Sequence, residues 1–371
     1  MSFQLMRAKT FDLFESKLNQ RQLENSELNK KEASEGMTVL KSYPRRVVLE
    51  LTNACNFDCI MCGRHEAGFK PTFLKAEDIE CLADVFEHCE EVTLFGWGEP
   101  TIHPEFAKIV KMIDQFPVRK YFVTNGSTLK KIENVIFDHK VDIMAVSLDG
   151  ATAKTNDRIR RNADFEQIVS DLRRIVKIRN ENGYGYPYIN FVQTMMKSNL
   201  QELPDLVRLA AEIGLEEVKA VYLTVFTADL LHESLWNCRA EVQEVFDKAM
   251  EIAKENNIKL KLPFLQGEDV ASEDYHKICY VGWRDLFVGS DKYVRPCQST
   301  PLKFMKIDEG DFMNSIWNSQ EFQNFRKGVN SASLMPEHCQ QCYQSSHANF
   351  NRKSSFIFEG TSFAPEWEKI S

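Results

Sequence analysis

Between Arg46 and Val225, short apolar runs rich in β-branched residues alternate with longer amphipathic stretches. The runs are RVVLEL (46–51), EVTLFG (91–96), KYFVTNG (120–126), DIMAVSLDG (142–150), YINFVQTMM (188–196) and EVKAVYLTV (217–225). Each has the length and residue types of a strand. The stretches between them, 77–89, 104–115, 128–138, 164–181, 201–213 and later 239–256, repeat apolar residues every three or four positions and predict helices. Strands alternating with helices mean βαβ units and a parallel sheet, so the class is α/β. Six such units predict a partial (β/α)6 TIM-like barrel over 45–262. Polar motifs close the strands: Asn53 and Cys55, Gly96 to Glu99, Thr124 to Gly126, Ser147 to Gly150. Parallel βα barrels carry their active sites at the C-terminal strand ends, so these motifs should meet at one mouth.

The pattern differs on either side. Residues 1–44 are polar and charge-dense, with Phe11, Leu13, Phe14 and Leu18 as the apolar positions of an amphipathic turn or two. They predict a solvated helical extension that covers the barrel or dimerises. After Pro263 the alternation stops. DLFVGSDKYVRPC reads as a hairpin with its turn at Gly289, Ser290 and Asp291, and SIWNSQEFQNFRKGV (315–329) reads as a helix. Residues 263–350 form a second, smaller module, and 351–371 a tail.

Composition narrows the function. The net charge of −8 gives no basic footprint for nucleic acid. No apolar stretch reaches membrane-spanning length, and Met1–Glu15 lacks a signal-peptide core, which points to a cytoplasmic protein. In a reducing compartment the 10 cysteines read as metal ligands and free thiols.

Cys55, Cys59 and Cys62 stand in TNACNFDCIMC, directly after the first strand. The C-x-x-x-C-x-x-C spacing places three thiolates on one loop. That suits three corners of a 4Fe–4S cluster with one iron left open, or a zinc knuckle completed from elsewhere. With the other strand-end motifs, in this order, the chain resembles the radical S-adenosylmethionine (SAM) superfamily. The resemblance covers about 46–225. It rests on the three cysteines, on Gly98-Glu99-Pro100 ending the second strand, on Thr124-Asn125-Gly126 and Ser147-Leu148-Asp149-Gly150, and on Arg160-Arg161 before a helix. Trp97 interrupts the family's usual glycine pair, and Met61 stands where an aromatic residue is common.

The resemblance implies a SAM-binding 4Fe–4S cluster on Cys55, Cys59 and Cys62. It implies SAM contacts from Gly96, Gly98, Glu99, Thr124, Asn125, Ser147, Asp149 and Arg160. Each has a structural alternative: Glu99 as a loop cap, Ser147 and Asp149 as turn residues. A flavodoxin- or ferredoxin-type reductant follows, as does chemistry by a 5′-deoxyadenosyl radical that abstracts hydrogen from an unactivated carbon.

Four more cysteines, Cys279, Cys297, Cys339 and Cys342, have the spacing C-x17-C-x41-C-x2-C. On geometry a structural zinc fits them as well as a cluster. After a radical SAM barrel they resemble a SPASM or twitch module with a second, auxiliary 4Fe–4S cluster. The 2-deoxy-scyllo-inosamine dehydrogenase type pairs these parts and oxidises a secondary alcohol, with the auxiliary cluster taking the electron. That implies a sugar- or cyclitol-like small-molecule substrate ahead of a peptide. Alternatives stay open: an epimerase with Cys238 as hydrogen donor, a maturase of ribosomally made peptides, or a non-enzymatic iron–sulfur or zinc protein. Cys81 and Cys89 read as small apolar residues. Lys219, Tyr222 and Gln193, on late strands, read as pocket or core residues.

Overall fold

The computed structural model describes residues 18–64, 70–263, 265, 279–298, 300, 302–307, 310–331, 333–337 and 339. Phe11, Leu13, Phe14, Cys342 and the tail 351–371 lie outside the described residues.

All six expected strands form: β1 (Arg46–Leu49), β3 (Glu91–Leu94), β4 (Arg119–Thr124), β5 (Ile143–Ser147), β7 (Tyr188–Met195) and β8 (Glu217–Tyr222). They pair side by side, all parallel. Three short strands extend the sheet. β9 (Lys259–Lys261) pairs with β8, β10 (Asp285–Val288) pairs with the free edge of β1, and β11 (Val294–Arg295) returns antiparallel on β10. The order is β11-β10-β1-β3-β4-β5-β7-β8-β9. The expected hairpin is therefore β10–β11, and it shares one hydrogen-bonded sheet with the barrel. β2 (Asp58–Cys59) and β6 (Arg160–Arg161) form a separate two-stranded pair.

Helices fill the crossovers: α2 (Ala83–His88), α3 (Phe106–Ile113), α4 (Leu129–Asp138), α5 (Ala153–Ile159), α6 (Phe165–Glu181), α7 (Leu203–Ile213) and α8 (Arg239–Glu255). Their apolar faces pack on the outer face of the sheet, where Val47, Leu49, Val92, Leu94, Phe122, Met144, Val146, Ile189 and Phe191 join one buried core. The alternate residues face the barrel lumen. There the first row is charged: Asp285, Arg46, Glu91 and Arg119 are in register on four adjacent strands, with alternating sign. Arg46 pairs with Asp285 at 2.6 Å. The helix expected at 315–329 is broken. A wide turn over Phe312–Trp317 gives way at Asn318, and Ser319 caps α10 (Gln320–Gly328) by accepting from the Phe322 amide; α9 (Val281–Arg284) is a single turn before β10.

The N-terminal helix α1 (Gln20–Ser34) starts with a capping box between Asn19 and Gln22. Its buried face is polar: Gln22, Asn25, Ser26, Asn29 and Glu32. Gln22 Nε2 donates to the carbonyls of Cys89 and Pro117, both at 2.7 Å. Asn29 Nδ2 donates to the Trp283 carbonyl at 2.7 Å, and Glu32 accepts from the Ser42 amide and hydroxyl. The helix docks through these bonds under the N-terminal ends of β1, β3 and β10. Among the described residues no helix is long and apolar enough to cross a membrane.

Candidate active site at the barrel mouth

The chain leaves β1 through Glu50, Leu51, Thr52 and Asn53 into the cysteine loop. Thr52 Oγ1 accepts from the Ala54 amide at 3.0 Å and donates to the Thr72 carbonyl at 2.8 Å. Asn53 holds the Thr72 amide and the Lys70 carbonyl. These bonds give the loop before Cys55 a fixed course. Cys55, Cys59 and Cys62 are each half-buried, and the Cys62 amide closes a turn onto the Cys59 carbonyl.

Donors point at the sulfurs. The Phe57 amide lies 3.5 Å from Cys55 Sγ, Asn125 Nδ2 lies 3.8 Å from the same atom, and Arg160 Nη1 lies 4.0 Å from Cys59 Sγ. Burial pushes the Cys59 thiol up to about 12 and raises Cys55 too, and each of the two lies within the field of Cys62. Three neighbouring thiols with donors aimed at them fit a cluster whose irons turn the thiols into thiolates.

The second strand end is built against this loop. The Glu99 amide donates to the Ala54 carbonyl at 2.9 Å. A Cβ on Gly98 would stand 2.2 Å from the Ala54 oxygen and 2.4 Å from the Thr52 oxygen, so only glycine fits. Gly98→Ala is therefore expected to push the loop off its seat and lower iron loading after reconstitution, with the folded barrel retained by circular dichroism. Gly96 is packed just as tightly, its Cβ position 2.3 Å from Glu50 Cγ.

Glu99 is buried and fully used inside the protein. Its carboxylate accepts from the Thr101 amide and hydroxyl, from Thr124 Oγ1 at 2.8 Å and from the Asn125 amide at 2.6 Å. It ties the end of β3 to the end of β4, which is the loop-capping role. Thr124 and Asn125 follow from it: Thr124 is bonded to Glu99, and Asn125 reaches Cys55 and Asn56. Ser147 stands half-buried at the end of β5, on the lumen side. Asp149 is fully buried and pairs with Arg160 Nε at 2.7 Å, while its other oxygen accepts from the Thr194 amide at 2.7 Å. Arg160 in turn is the strand partner of Cys59. Asp149 thus acts through Arg160 on the cysteine loop.

Several residues at the mouth were not read from the sequence. Glu50 accepts from the Trp97 amide at 2.8 Å and from the Ser290 amide and hydroxyl at 3.1 and 2.8 Å, joining β1, the Gly96–Gly98 loop and the hairpin turn. Phe226 lies edge-on to Trp97, with ring centroids 5.8 Å apart, and covers Gly63. The break in the usual glycine pair at Trp97 was the one available signal for this aromatic cover. Met61 packs with Ile60 on a small apolar cluster that includes Ile159, Met196 and Trp236. Of the late-strand residues, Lys219 faces the lumen, whereas Gln193 is buried and bonds Asn199 and Tyr222 packs on the outer core. Cys89 is buried as expected, and Cys238 stands at the N-cap position of α8 without a side-chain capping bond and packs on the main core.

In the C-terminal part, Cys279 and Cys297 flank the β10–β11 hairpin at its open end. Asn330 clamps Cys279 by bonds to its amide and carbonyl, at 2.8 and 3.0 Å. Burial pushes Cys279 up to about 11 and Cys339 up to about 12, and Cys279 is the charge next to Cys339.

Residues 49–190 match the model of the radical SAM superfamily, and residues 279–343 match that of an iron–sulfur cluster-binding domain, SPASM. The chain carries a radical SAM domain followed by a SPASM domain. The first implies a 4Fe–4S cluster and SAM, and the second an auxiliary iron–sulfur centre. This radical SAM chain is 24% identical over 75% of its length to the tungsten-containing aldehyde ferredoxin oxidoreductase cofactor-modifying protein of Pyrococcus furiosus, covering 82% of that protein. It is 26% identical over 78% of its length to the AdoMet-dependent heme synthase of Methanosarcina barkeri, covering 86% of it. Its fold is shared with SuiB of Streptococcus suis, crystallised with S-adenosylmethionine, at a TM-score of 0.62 and 13% identity over 90% of this chain and 82% of that one.

Proposed function

We propose that this radical SAM enzyme oxidises a secondary alcohol of a small polar molecule, sugar- or cyclitol-like. The observation that carries the reading is the second thiol set, in which the half-buried Cys279 stands within the field of the buried Cys339, beside a hairpin hydrogen-bonded into the barrel sheet. When bound, the mouth cluster and SAM supply a 5′-deoxyadenosyl radical that takes hydrogen from a substrate carbon, and the auxiliary cluster supplies an acceptor for the electron left behind.

The chain's own residues do the rest. Cys55, Cys59 and Cys62 hold the mouth cluster, with Asn125 and Arg160 beside the sulfurs. Glu99 and the Asp149–Arg160 pair keep the strand ends in place, and Trp97 with Phe226 screens the loop from water. Cys279, Cys297, Cys339 and Cys342 hold the second cluster. The relatives matched over most of their length are named for modifying a cofactor and for making heme, which supports a small-molecule substrate ahead of a peptide.

The test uses a Cys279→Ala/Cys297→Ala variant, kept anaerobic, reduced, and screened with wild type against sugars and cyclitols. The variant is expected to keep forming 5′-deoxyadenosine and to lose ketone product by about 100-fold or more, roughly 3 kcal/mol in barrier. Ketone formation at the wild-type rate would sink the oxidation reading. An inverted alcohol in place of a ketone, lost in Cys238→Ala, would select epimerisation instead.

A further inference from the structure

The turn of the β10–β11 hairpin reaches the barrel mouth. β10 runs parallel to β1 with Val288 level with Leu49, so the turn at Gly289 and Ser290 stands beside Glu50. Glu50 is buried, and its two carboxylate oxygens serve two parts of the protein. Oε1 accepts from the Trp97 amide at 2.8 Å, in the loop that follows β3. Oε2 accepts from the Ser290 amide and hydroxyl at 3.1 and 2.8 Å. The Ser290 hydroxyl also meets Thr72 Oγ1 at 2.7 Å.

The hairpin thus touches the cysteine loop by two routes. One runs from Ser290 through Glu50 to Trp97, whose neighbour Gly98 lies against the Ala54 oxygen. The other runs from Ser290 through Thr72 to Thr52 and Asn53, which hold the Thr72 carbonyl and amide. Both end just before Cys55. The opposite end of the hairpin carries Cys279, ahead of β10, and Cys297, after β11. One two-stranded unit therefore has auxiliary thiols at one end and the donors to Glu50 at the other.

A buried carboxylate oxygen stripped of its donors is costly. If the hairpin lifts, Oε2 loses both donors together, and the carboxylate gains by turning toward water. It has no slack in which to turn. A Cβ on Gly96 would stand 2.3 Å from Glu50 Cγ and 2.6 Å from its Oε1, so side chain and loop backbone are in contact. Movement of Glu50 then frees the Trp97 amide and the loop from Gly96 to Gly98.

We propose that Glu50 is a positioning residue through which the hairpin holds the Gly96–Gly98 loop in the form that binds SAM, so that tight SAM binding needs the hairpin seated. The proposal concerns the cofactor and holds whatever substrate is oxidised.

The experiment is equilibrium dialysis of SAM against the anaerobic, reconstituted full chain with its clusters oxidised, so that no SAM is cleaved. It is paired with electron paramagnetic resonance of the reduced enzyme, with and without SAM. Glu50→Gln keeps the shape but accepts on one side only. It is expected to raise the Kd for SAM about tenfold, the scale of one lost hydrogen bond to a charged group. Its iron content and SAM-free spectrum should match wild type, and the SAM-induced change in the spectrum should need about tenfold more SAM. A merely structural Glu50 would instead lower the iron content and alter the SAM-free spectrum. Ser290→Ala removes one donor, is expected to raise the Kd about threefold, and carries the test if Glu50→Gln fails to load iron. Cys279→Ala/Cys297→Ala should weaken SAM binding as Glu50→Gln does, while still forming 5′-deoxyadenosine at saturating SAM. Adding Glu50→Gln to it should change the Kd little further. A wild-type Kd in both Glu50→Gln and Ser290→Ala overturns the proposal. So do effects of Glu50→Gln and of the cysteine pair that multiply. Dialysis uses no substrate, so failure here leaves the oxidation reading standing, and absence of ketone leaves the role of Glu50 standing.

Discussion

Changing Cys55, Cys59 and Cys62 together to alanine abolishes cleavage of SAM and removes about four of about eight irons from the reconstituted protein. The split follows from the separation of the two thiol sets. Cys55, Cys59 and Cys62 share one loop whose course is set by Thr52, Asn53 and Gly98. Cys279, Cys297 and Cys339 belong to the hairpin and the segment after α10, and Asn330 anchors Cys279 independently of the mouth. The remaining irons should therefore stay bound, and the melting profile should keep the transition of the barrel. Iron and sulfide analysis, with 5′-deoxyadenosine quantified by chromatography, reads both effects. A variant that still cleaves SAM removes the mouth from the mechanism. A wild type with about four irons plus zinc makes the C-terminal set structural, and the electron-acceptor role falls with it.

Asp149→Asn is expected to destabilise the protein by about 3–5 kcal/mol, the range for breaking a buried ion pair from one side. Asp149 is fully buried and its partner Arg160 nearly so, at 2.7 Å. The substitution keeps the shape and removes the charge, leaving a guanidinium in the interior without its anion. Replacing both, as Asp149→Asn with Arg160→Met, should cost less than the sum of the single changes. Because Arg160 is the strand partner of Cys59, the single variant should also load less iron at the mouth. Denaturant unfolding of the four proteins of this cycle gives the coupling, and additive effects would mean that the contact carries little energy.

The barrel was legible because its strands announce themselves twice, by β-branched runs and by the polar motif closing each run. The cysteine loop and Gly98 were legible for a related reason: both are local patterns with one structural meaning. The partners of those residues were not. Asp149 and Arg160 lie on either side of α5, and only the fold brings them together. Glu50 reads as the polar end of RVVLEL, and its role depends on Ser290, 240 residues on. Phe226 follows the last expected strand, and its own position carries no mark of a cover for Gly63; the hint lay in Trp97, its partner across the loop. The polar stripe of α1 suggested a solvated surface, because amide and hydroxyl side chains carry no sign of the carbonyls they will meet. Hydropathy separates water-facing from core-facing positions only where the core is apolar, and the barrel floor is not.

That floor also sets a timetable. The segment from α1 to Tyr43 is bonded to early groups, the carbonyls of Cys89 and Pro117, and also to groups made much later. Asn29 needs the Trp283 carbonyl, the Met37 carbonyl needs the Trp283 indole, the Ser42 carbonyl needs Trp317, and the Thr38 carbonyl needs Arg326. At about 5–20 residues per second, roughly 15–60 s separate the two ends of this contact set during synthesis. Through that interval the nascent N-terminal segment has no late partner to hold, and its polar face keeps it hydrated. The early bonds to Cys89 and Pro117 can form first, and the full set closes only once the chain has been made through Arg326, so a shorter product would lack the late half of these bonds.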